Sequence, residues 1–224
     1  MDNTWNDIWR SDKYKSPQSR REKVSYKIEL FQRLGANLSE LKNVGDIGCG
    51  AGYFAKRLLS VVKGNIIGID ISHVAIGMAR SFNNDPCIDY QIKDAVLSWQ
   101  VPERLDAVFL VGLIEHVRRP EAVIKNAYDS LRAGGRLFLC SSNKHSVFHL
   151  EKCLLEAFNR WRLGYQKDYE LCELTLLLSR QGFCIKRHYI SGCIREGNML
   201  SAFDRFLSRT IGWGRYIFVI AERM

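Results

Sequence analysis

VGDIGCGAGYF, residues 44–54, decides the fold. An apolar run closes on Asp46, Gly48, Gly50 and Gly52 follow at alternate positions, and Tyr53 opens a helical pattern. Glycines between a strand and a helix let the chain turn tightly. They also let the backbone approach a ligand with no Cβ in the way. The next apolar run closes on Gly68-Ile69-Asp70, and a carboxylate there can accept the hydroxyls of a ribose.

Outward from this turn, short apolar runs alternate with amphipathic stretches. Strands are expected at 43–47, 65–70, 88–92, 105–111 and 136–141, and helices at 53–62, 72–82 and 120–131. Strand alternating with helix means a parallel sheet covered on both faces. Pro120 suits a first helical turn, and Ala133-Gly134-Gly135 ends that helix. After Ser142 the pattern changes. Residues 147–162 read as a helix with Val147, Leu150, Leu154, Phe158 and Trp161 on one face, and 168–180 as another, ended by Gly182. Strands follow at 183–190 and 216–221, with 191–213 irregular or helical between them. The expectation is one domain over 1–224, with a lid segment at 1–25 and helical insertions at 143–182 and 191–213 forming a cap.

The chain of 224 residues is 46% hydrophobic and 25% charged, which excludes disorder, collagen and coiled coil. Thirty-three basic against 24 acidic residues give +9, leaving nucleic acid, anionic membrane and anionic substrates open as partners. Most of the excess lies from residue 144 onward, where thirteen basic face eight acidic residues. Seven cysteines, no two of them three apart, make no CxxC pair, so reduced thiols in a reducing compartment are expected. Asp2, Asp7, Arg10, Asp12, Lys13 and Lys15 argue against a secretory leader. The longest apolar run, 108–114, is far short of the roughly 18 residues that span a bilayer. A cytoplasmic location is expected, with peripheral contact to an anionic membrane left open.

The loop chemistry separates two nucleoside cofactors. The dinucleotide pattern GxGxxG needs a third glycine where this chain has Tyr53. Asp46 would be awkward beside a pyrophosphate and useful beside a cation. S-adenosylmethionine carries a sulfonium and an ammonium and no phosphate, so the loop favours it over NAD.

At this point the residues resemble a known family, the class I S-adenosylmethionine-dependent methyltransferases, over about residue 30 to the C-terminus. Five blocks match in order: 44–54, 68–72, Lys93-Asp94-Ala95, 105–117 and 131–139. The segment Glu115-His116-Val117 and the 131–135 turn are similar to the small-molecule branch that includes ubiquinone-pathway O-methyltransferases. The resemblance implies an α/β, Rossmann-like, doubly wound seven-stranded sheet in order 3-2-1-4-5-7-6 with the last strand antiparallel. It implies S-adenosyl-L-methionine as cofactor. Gly48, Gly50 and Gly52 would line its methionine part, with Asp46 near the amino group. Asp70 would hold the ribose and Ile71 would pack on the adenine. Asp94 and Ala95 would bind the adenine edge, and Val111 and Gly112 would lie beside the sulfonium.

Methyl transfer from a sulfonium is an in-line displacement, so alignment and exclusion of water matter most. An oxygen acceptor must also lose a proton, and His116 is the candidate base. Packing on the cofactor pocket is the plainer reading of His116. A metal shared with Glu115 would rest on only two ligands, so no metal site is assigned. His145 and His149 read as structural or surface groups. Trp5, Trp9 and Tyr14 read either as a lid over the cofactor or as a helix docked on an apolar surface.

Three acceptor classes are weighed. A small-molecule or lipid-like acceptor, methylated at oxygen, is favoured. The segment 199–215 sets Leu200, Phe203, Phe206, Leu207 and Ile211 among Arg205, Arg209 and Arg215. That pattern suits an anionic membrane surface or a hydrophobic acceptor with an anionic group. Its plainer reading is a cap helix whose apolar face covers the sheet. Nucleic acid is disfavoured: Val111-Gly112-Leu113-Ile114 stands where base methylases carry an Asn/Asp-Pro-Pro-aromatic turn, and Pro86-Cys87 precedes the third strand. A non-catalytic binding module is disfavoured by the intact glycines and carboxylates.

Overall fold

The computed structural model describes residues 4–11, 17–101, 103–193 and 199–224, with the side chains of 17–20 left aside. Tyr14 and the stretch 194–198 lie outside the described residues.

Among the described residues, seven strands form one sheet: β1 (Asn43–Ile47), β2 (Asn65–Asp70), β3 (Ile88–Ile92), β4 (Leu105–Val111), β5 (Leu131–Ser142), β6 (Phe183–Ser191) and β7 (Tyr216–Arg223). Their order is β3-β2-β1-β4-β5-β7-β6, and β7 runs antiparallel to both neighbours, as the resemblance implied. The order reverses between β1 and β4, which pair in parallel from Val44↔Ala107 to Ile47↔Leu110. Ligands bind where the crossovers leave such a sheet in opposite directions, beyond the carboxyl ends of the strands.

Among the described residues, eight α-helices accompany the sheet: α1 (Thr4–Arg10), α2 (Pro17–Arg33), α3 (Tyr53–Leu59), α4 (His73–Phe82), α5 (Pro120–Ser130), α6 (Val147–Ala157), α7 (Leu171–Arg180) and α8 (Met199–Thr210). Alternation along the central strands divides the core in two. Phe109, Phe138 and Phe218 point to one face with Ile28 and Phe31 of α2. Phe109 and Phe138 stack at 4.5 Å, and Phe31 meets both edge-on. Val108, Leu110, Leu137, Leu139 and Val219 point to the other face, under α5 and α7. Each such side chain contributes about 1.5–3 kcal/mol by leaving water. Both faces of β4 are therefore sealed, and the site can open only at the strand ends.

Two helices depart from this logic. The buried residues of α8 are Ser201 and Asp204, whose carboxylate accepts from the backbone N–H groups of Cys193 (2.6 Å) and Arg215 (3.2 Å). Met199, Phe203 and Phe206 face solvent, at 89%, 50% and 61% exposure. The plainer reading of the segment holds only in part, since Leu200 and Leu207 are half-buried while Phe203, Phe206 and Ile211 are exposed. In α6 the pattern is the same. Val147 and Lys152 are buried, while Leu150, Leu154 and Phe158 are exposed. The start of α6 meets the segment that follows α8, where the Arg215 guanidinium lies 4.0 Å over the Phe148 ring and the Gly214 N–H bonds the His145 carbonyl. No helix among the described residues is long and apolar enough to cross a membrane.

Candidate active site

The turn after β1 is held from the neighbouring strand. The N–H groups of Gly48 and Cys49 both donate to the Ile69 carbonyl, at 2.7 and 3.0 Å. The Gly50 N–H donates to Asp70 Oδ2 at 2.8 Å, and the Ser72 N–H to Asp70 Oδ1 at 2.9 Å. Asp70 thus ties the glycine turn to the start of α4 and keeps lone pairs for a ligand. Burial raises its pKa, and the N–H groups of Ser72, Gly50 and Ile71 draw it back. Gly50 sits at φ +53°, and a Cβ there would lie 2.5 Å from the Trp9 ring. The position therefore needs glycine on both counts.

Asp46, the last residue but one of β1, is almost fully buried, and its Oδ2 has no hydrogen-bond partner. Burial, then the charge of Asp70, pushes its pKa up to about 7. An orphaned carboxylate oxygen in a closed site has an unmet demand for a donor or a cation.

Two adjoining cavities of about 270 Å³ open at the switch point and share Trp5, Trp9, Gly48, Gly112 and His116. The first adds Asp70, Ile71, Asp94, Ala95 and Arg118. The second adds Asp46, Gly50, Val111, Lys23, Lys27 and Leu163. Nine of the ten candidate cofactor residues therefore line this pair of cavities. Gly52 stands elsewhere: a Cβ there would run into the Tyr90 ring and Ala79, so it is a packing glycine at the start of α3. Asp94 Oδ1 accepts the Val96 N–H at 2.9 Å, which combines a turn role with a place on the cavity wall. A roomier cavity of about 390 Å³ lies at the opposite strand ends, lined by Asn43, Asn65, Cys87 and Glu103, away from this chemistry.

His116 stands at the junction of the two cavities. Its Nδ1 lies 3.1 Å from the Tyr165 carbonyl, which can only accept. That contact puts the proton on Nδ1 and leaves Nε2 as the acceptor. The ring meets Trp5 edge-on at 5.0 Å. Glu115 turns the other way, accepting from Ser141 Oγ (3.1 Å) and Ser142 Oγ (3.3 Å). The metal-sharing alternative loses its carboxylate to these serines. Trp5 and Trp9 of α1 reach both cavities, and the helix is anchored where Ser72 Oγ donates to Asn6 Oδ1 at 2.7 Å.

Comparisons with known proteins identify the family. The Methyltransferase domain family matches residues 18–183. The chain belongs to the class I S-adenosylmethionine-dependent methyltransferases. Among curated relatives, the ubiquinone biosynthesis O-methyltransferase of Dechloromonas aromatica is 32% identical over 112 residues, 49% of this chain and 48% of that one. The match thus spans about half the length of that relative. Among solved structures, the N-methyltransferase NodS of Bradyrhizobium japonicum, with S-adenosyl-L-homocysteine, superposes over 99% of both chains with TM-score 0.67 and 16% identity. Magnesium protoporphyrin IX methyltransferase of Synechocystis, also with bound SAH, superposes over 99% of this chain and 93% of that one, with TM-score 0.66 and 18% identity. This methyltransferase uses S-adenosylmethionine as its cofactor. The residues present fit it: an apolar and carboxylate-lined cavity for the nucleoside, and the orphaned Asp46 oxygen for an ammonium.

Sequence reading missed two groups here. The Tyr165 carbonyl is backbone and has no signature in the sequence. Lys23 and Lys27 lie on α2, which the sequence reading passed over, although Val24, Ile28 and Phe31 carry helical spacing.

One expectation follows for the nucleoside side. Asp70→Asn keeps one acceptor oxygen and loses the charge. It should weaken S-adenosylmethionine binding about tenfold, the cost of one charge-assisted hydrogen bond. Calorimetry on the folded variant is the check, and unchanged affinity would remove Asp70 from ribose binding.

Proposed function

We propose that the enzyme methylates an oxygen of a hydrophobic, lipid-like acceptor that it meets at an anionic membrane surface. One observation supports this reading above the others. Lys152 of α6 and Ser201 and Asp204 of α8 are buried, while Leu150 and Leu154 of α6, Phe158 at its C-terminal cap, and Met199, Phe203 and Phe206 of α8 are exposed. Large apolar side chains left exposed on a helix mark an interaction surface. Arg209, exposed in the last turn of α8, suits anionic headgroups. Lys23 and Lys27 on the second cavity suit an acceptor with an anionic group. The curated relative named above is an O-methyltransferase, which supports oxygen.

The chemistry follows from the groups at the junction. The cofactor, when bound, supplies the methyl group on a sulfonium. Asp70, Asp94 and Ile71 hold and orient the nucleoside in the first cavity. Asp46 holds the ammonium from the second. His116 Nε2 takes the proton from the acceptor hydroxyl as that oxygen moves in line. Trp5 and Trp9, closing over both cavities as a lid, keep water from competing.

The test supplies radiolabelled S-adenosylmethionine with a total lipid extract, with RNA and with water-soluble phenols. Label is expected in the lipid fraction, and label confined to RNA would overturn the reading. Vesicle binding should separate the surface from the chemistry. Phe203→Ser with Phe206→Ser should weaken flotation with phosphatidylglycerol vesicles about tenfold, from the lost apolar burial of two rings. Equal flotation of the wild type and the double variant would remove α8 from membrane contact.

A further inference from the structure

Away from the cofactor cavities, α6 and the loop before α7 bring together a cysteine, a histidine and an aspartate in sequence. The Asp168 side chain is 3% exposed, and its Oδ2 accepts from His149 Nδ1 at 2.7 Å and from Lys152 Nζ at 3.2 Å. Its Oδ1 accepts from Gln166 Nε2 at 2.8 Å. A carboxylate only accepts, so the His149 proton sits on Nδ1 and Nε2 faces outward as an acceptor. Cys153 Sγ lies 3.6 Å from that Nε2, within hydrogen-bond range for sulfur, and the cysteine is exposed. Positions 149 and 153 are one helical turn apart, so the helix itself sets the contact. Ser146 caps the helix and accepts the His149 N–H at 3.1 Å, fixing the first turn. Glu156 is the acidic neighbour, and its carboxylate stands 3.6 Å from Lys152 Nζ.

We propose that Cys153 is a covalent modification site, a reactive thiol for soft carbon electrophiles, with His149 as its base and Asp168 as the group that orients the base. A nucleophile beside a base that a third group orients is the arrangement that activates a thiol. None of the three residues lines the cofactor cavities, and methyl transfer makes no use of them. The other cysteines lack this setting. Cys49, Cys140 and Cys193 are buried and Cys184 is half-buried. Cys172 is exposed, and its S–H points to the Glu170 carboxylate at 3.7 Å. Cys87 is exposed on the loop before β3 and serves as the internal reference. In the step itself the S–H proton passes to His149 Nε2 and sulfur forms a bond to the electrophilic carbon. With a haloacetamide the halide leaves with the carbon–halogen pair, and the imidazolium returns its proton to solvent.

The experiment treats the full chain with iodoacetamide at pH 7 and reads each cysteine by peptide mass spectrometry over time. Cys153 should react at least about tenfold faster than Cys87 in the same molecule. His149→Asn is the chosen variant. The Asn amide can keep a donor near the Nδ1 position for Asp168, and it removes Nε2. Cys153 should then fall to within about twofold of Cys87, with the Cys87 rate unchanged. Equal rates for the two cysteines in the wild type would overturn the proposal without any variant. So would a His149→Asn chain whose Cys153 keeps its full rate while Cys49 and Cys140 stay protected.

Discussion

Asp46→Asn is expected to bind S-adenosylmethionine roughly ten- to a hundredfold more weakly and to unfold at a higher temperature than the wild type at pH 8. The affinity loss follows from removing the charge that meets an ammonium, about 1.5–3 kcal/mol for a charge-assisted contact. The stability gain has the opposite origin. Burial and Asp70 raise the Asp46 carboxyl to about 7 from its ordinary 3.8. A carboxyl raised on folding costs nothing below the unfolded value. The cost grows as pH climbs and is complete above the folded value. At pH 8 it is on the order of 4 kcal/mol, and neutral Asn does not carry it. The same titration gives the wild type a signature. Its cofactor affinity should rise with pH up to about 7 and level off above, since only the ionised carboxylate attracts the ammonium. Calorimetry across pH 5.5–8.5 with thermal melts of both chains tests all three statements. A variant with unchanged affinity and an unchanged melt at pH 8 would sink the assignment. A group that weakens the fold and strengthens the complex is expected at a functional site, not in a core.

What was legible followed physical lines. The central strands carry the apolar residues of the core and end at or beside the acidic residues Asp46 and Asp70. Asn43–Ile47, Asn65–Asp70, Ile88–Ile92 and Leu105–Val111 are found where the apolar pattern placed them. The strand expected from residue 136 starts at Leu131, because the extended residues before Gly134 already pair with β4 at Leu105. α3 stops at Leu59 instead of residue 62, since the chain must turn at Gly64 to enter β2. The larger surprises concern direction. Periodicity shows that Leu150, Leu154 and Phe158 share a face and says nothing about which way the face looks. The structure turns it outward because Lys152 and His149, on the other face, are held by a carboxylate nineteen positions after His149. Pairings at that distance carry no local signal. The same limit hid the partner of His116, since a backbone carbonyl on a cap loop has no residue type to read.

Replacing His116 should produce the larger kinetic effect. With an oxygen acceptor, His116→Asn is expected to lower kcat by about 10²–10⁴ while cofactor affinity changes less than about threefold. Asn is the informative choice, because its amide can still donate to the Tyr165 carbonyl while Nε2 is gone. The ring also meets Trp5, so a packing role predicts a different result: cofactor binding and turnover falling together and modestly. The pH profile separates the two further. A base at Nε2 must be unprotonated to act, so wild-type kcat should fall on the acid side, and the variant should lose that limb. Metal chemistry predicts a third pattern, inhibition by chelator and recovery with excess metal. Glu115 argues against it from the structure, since both of its oxygens already accept serine hydroxyls. If the variant retains full kcat, His116 takes no proton, and the whole rate must come from alignment of acceptor and sulfonium at the junction of the two cavities.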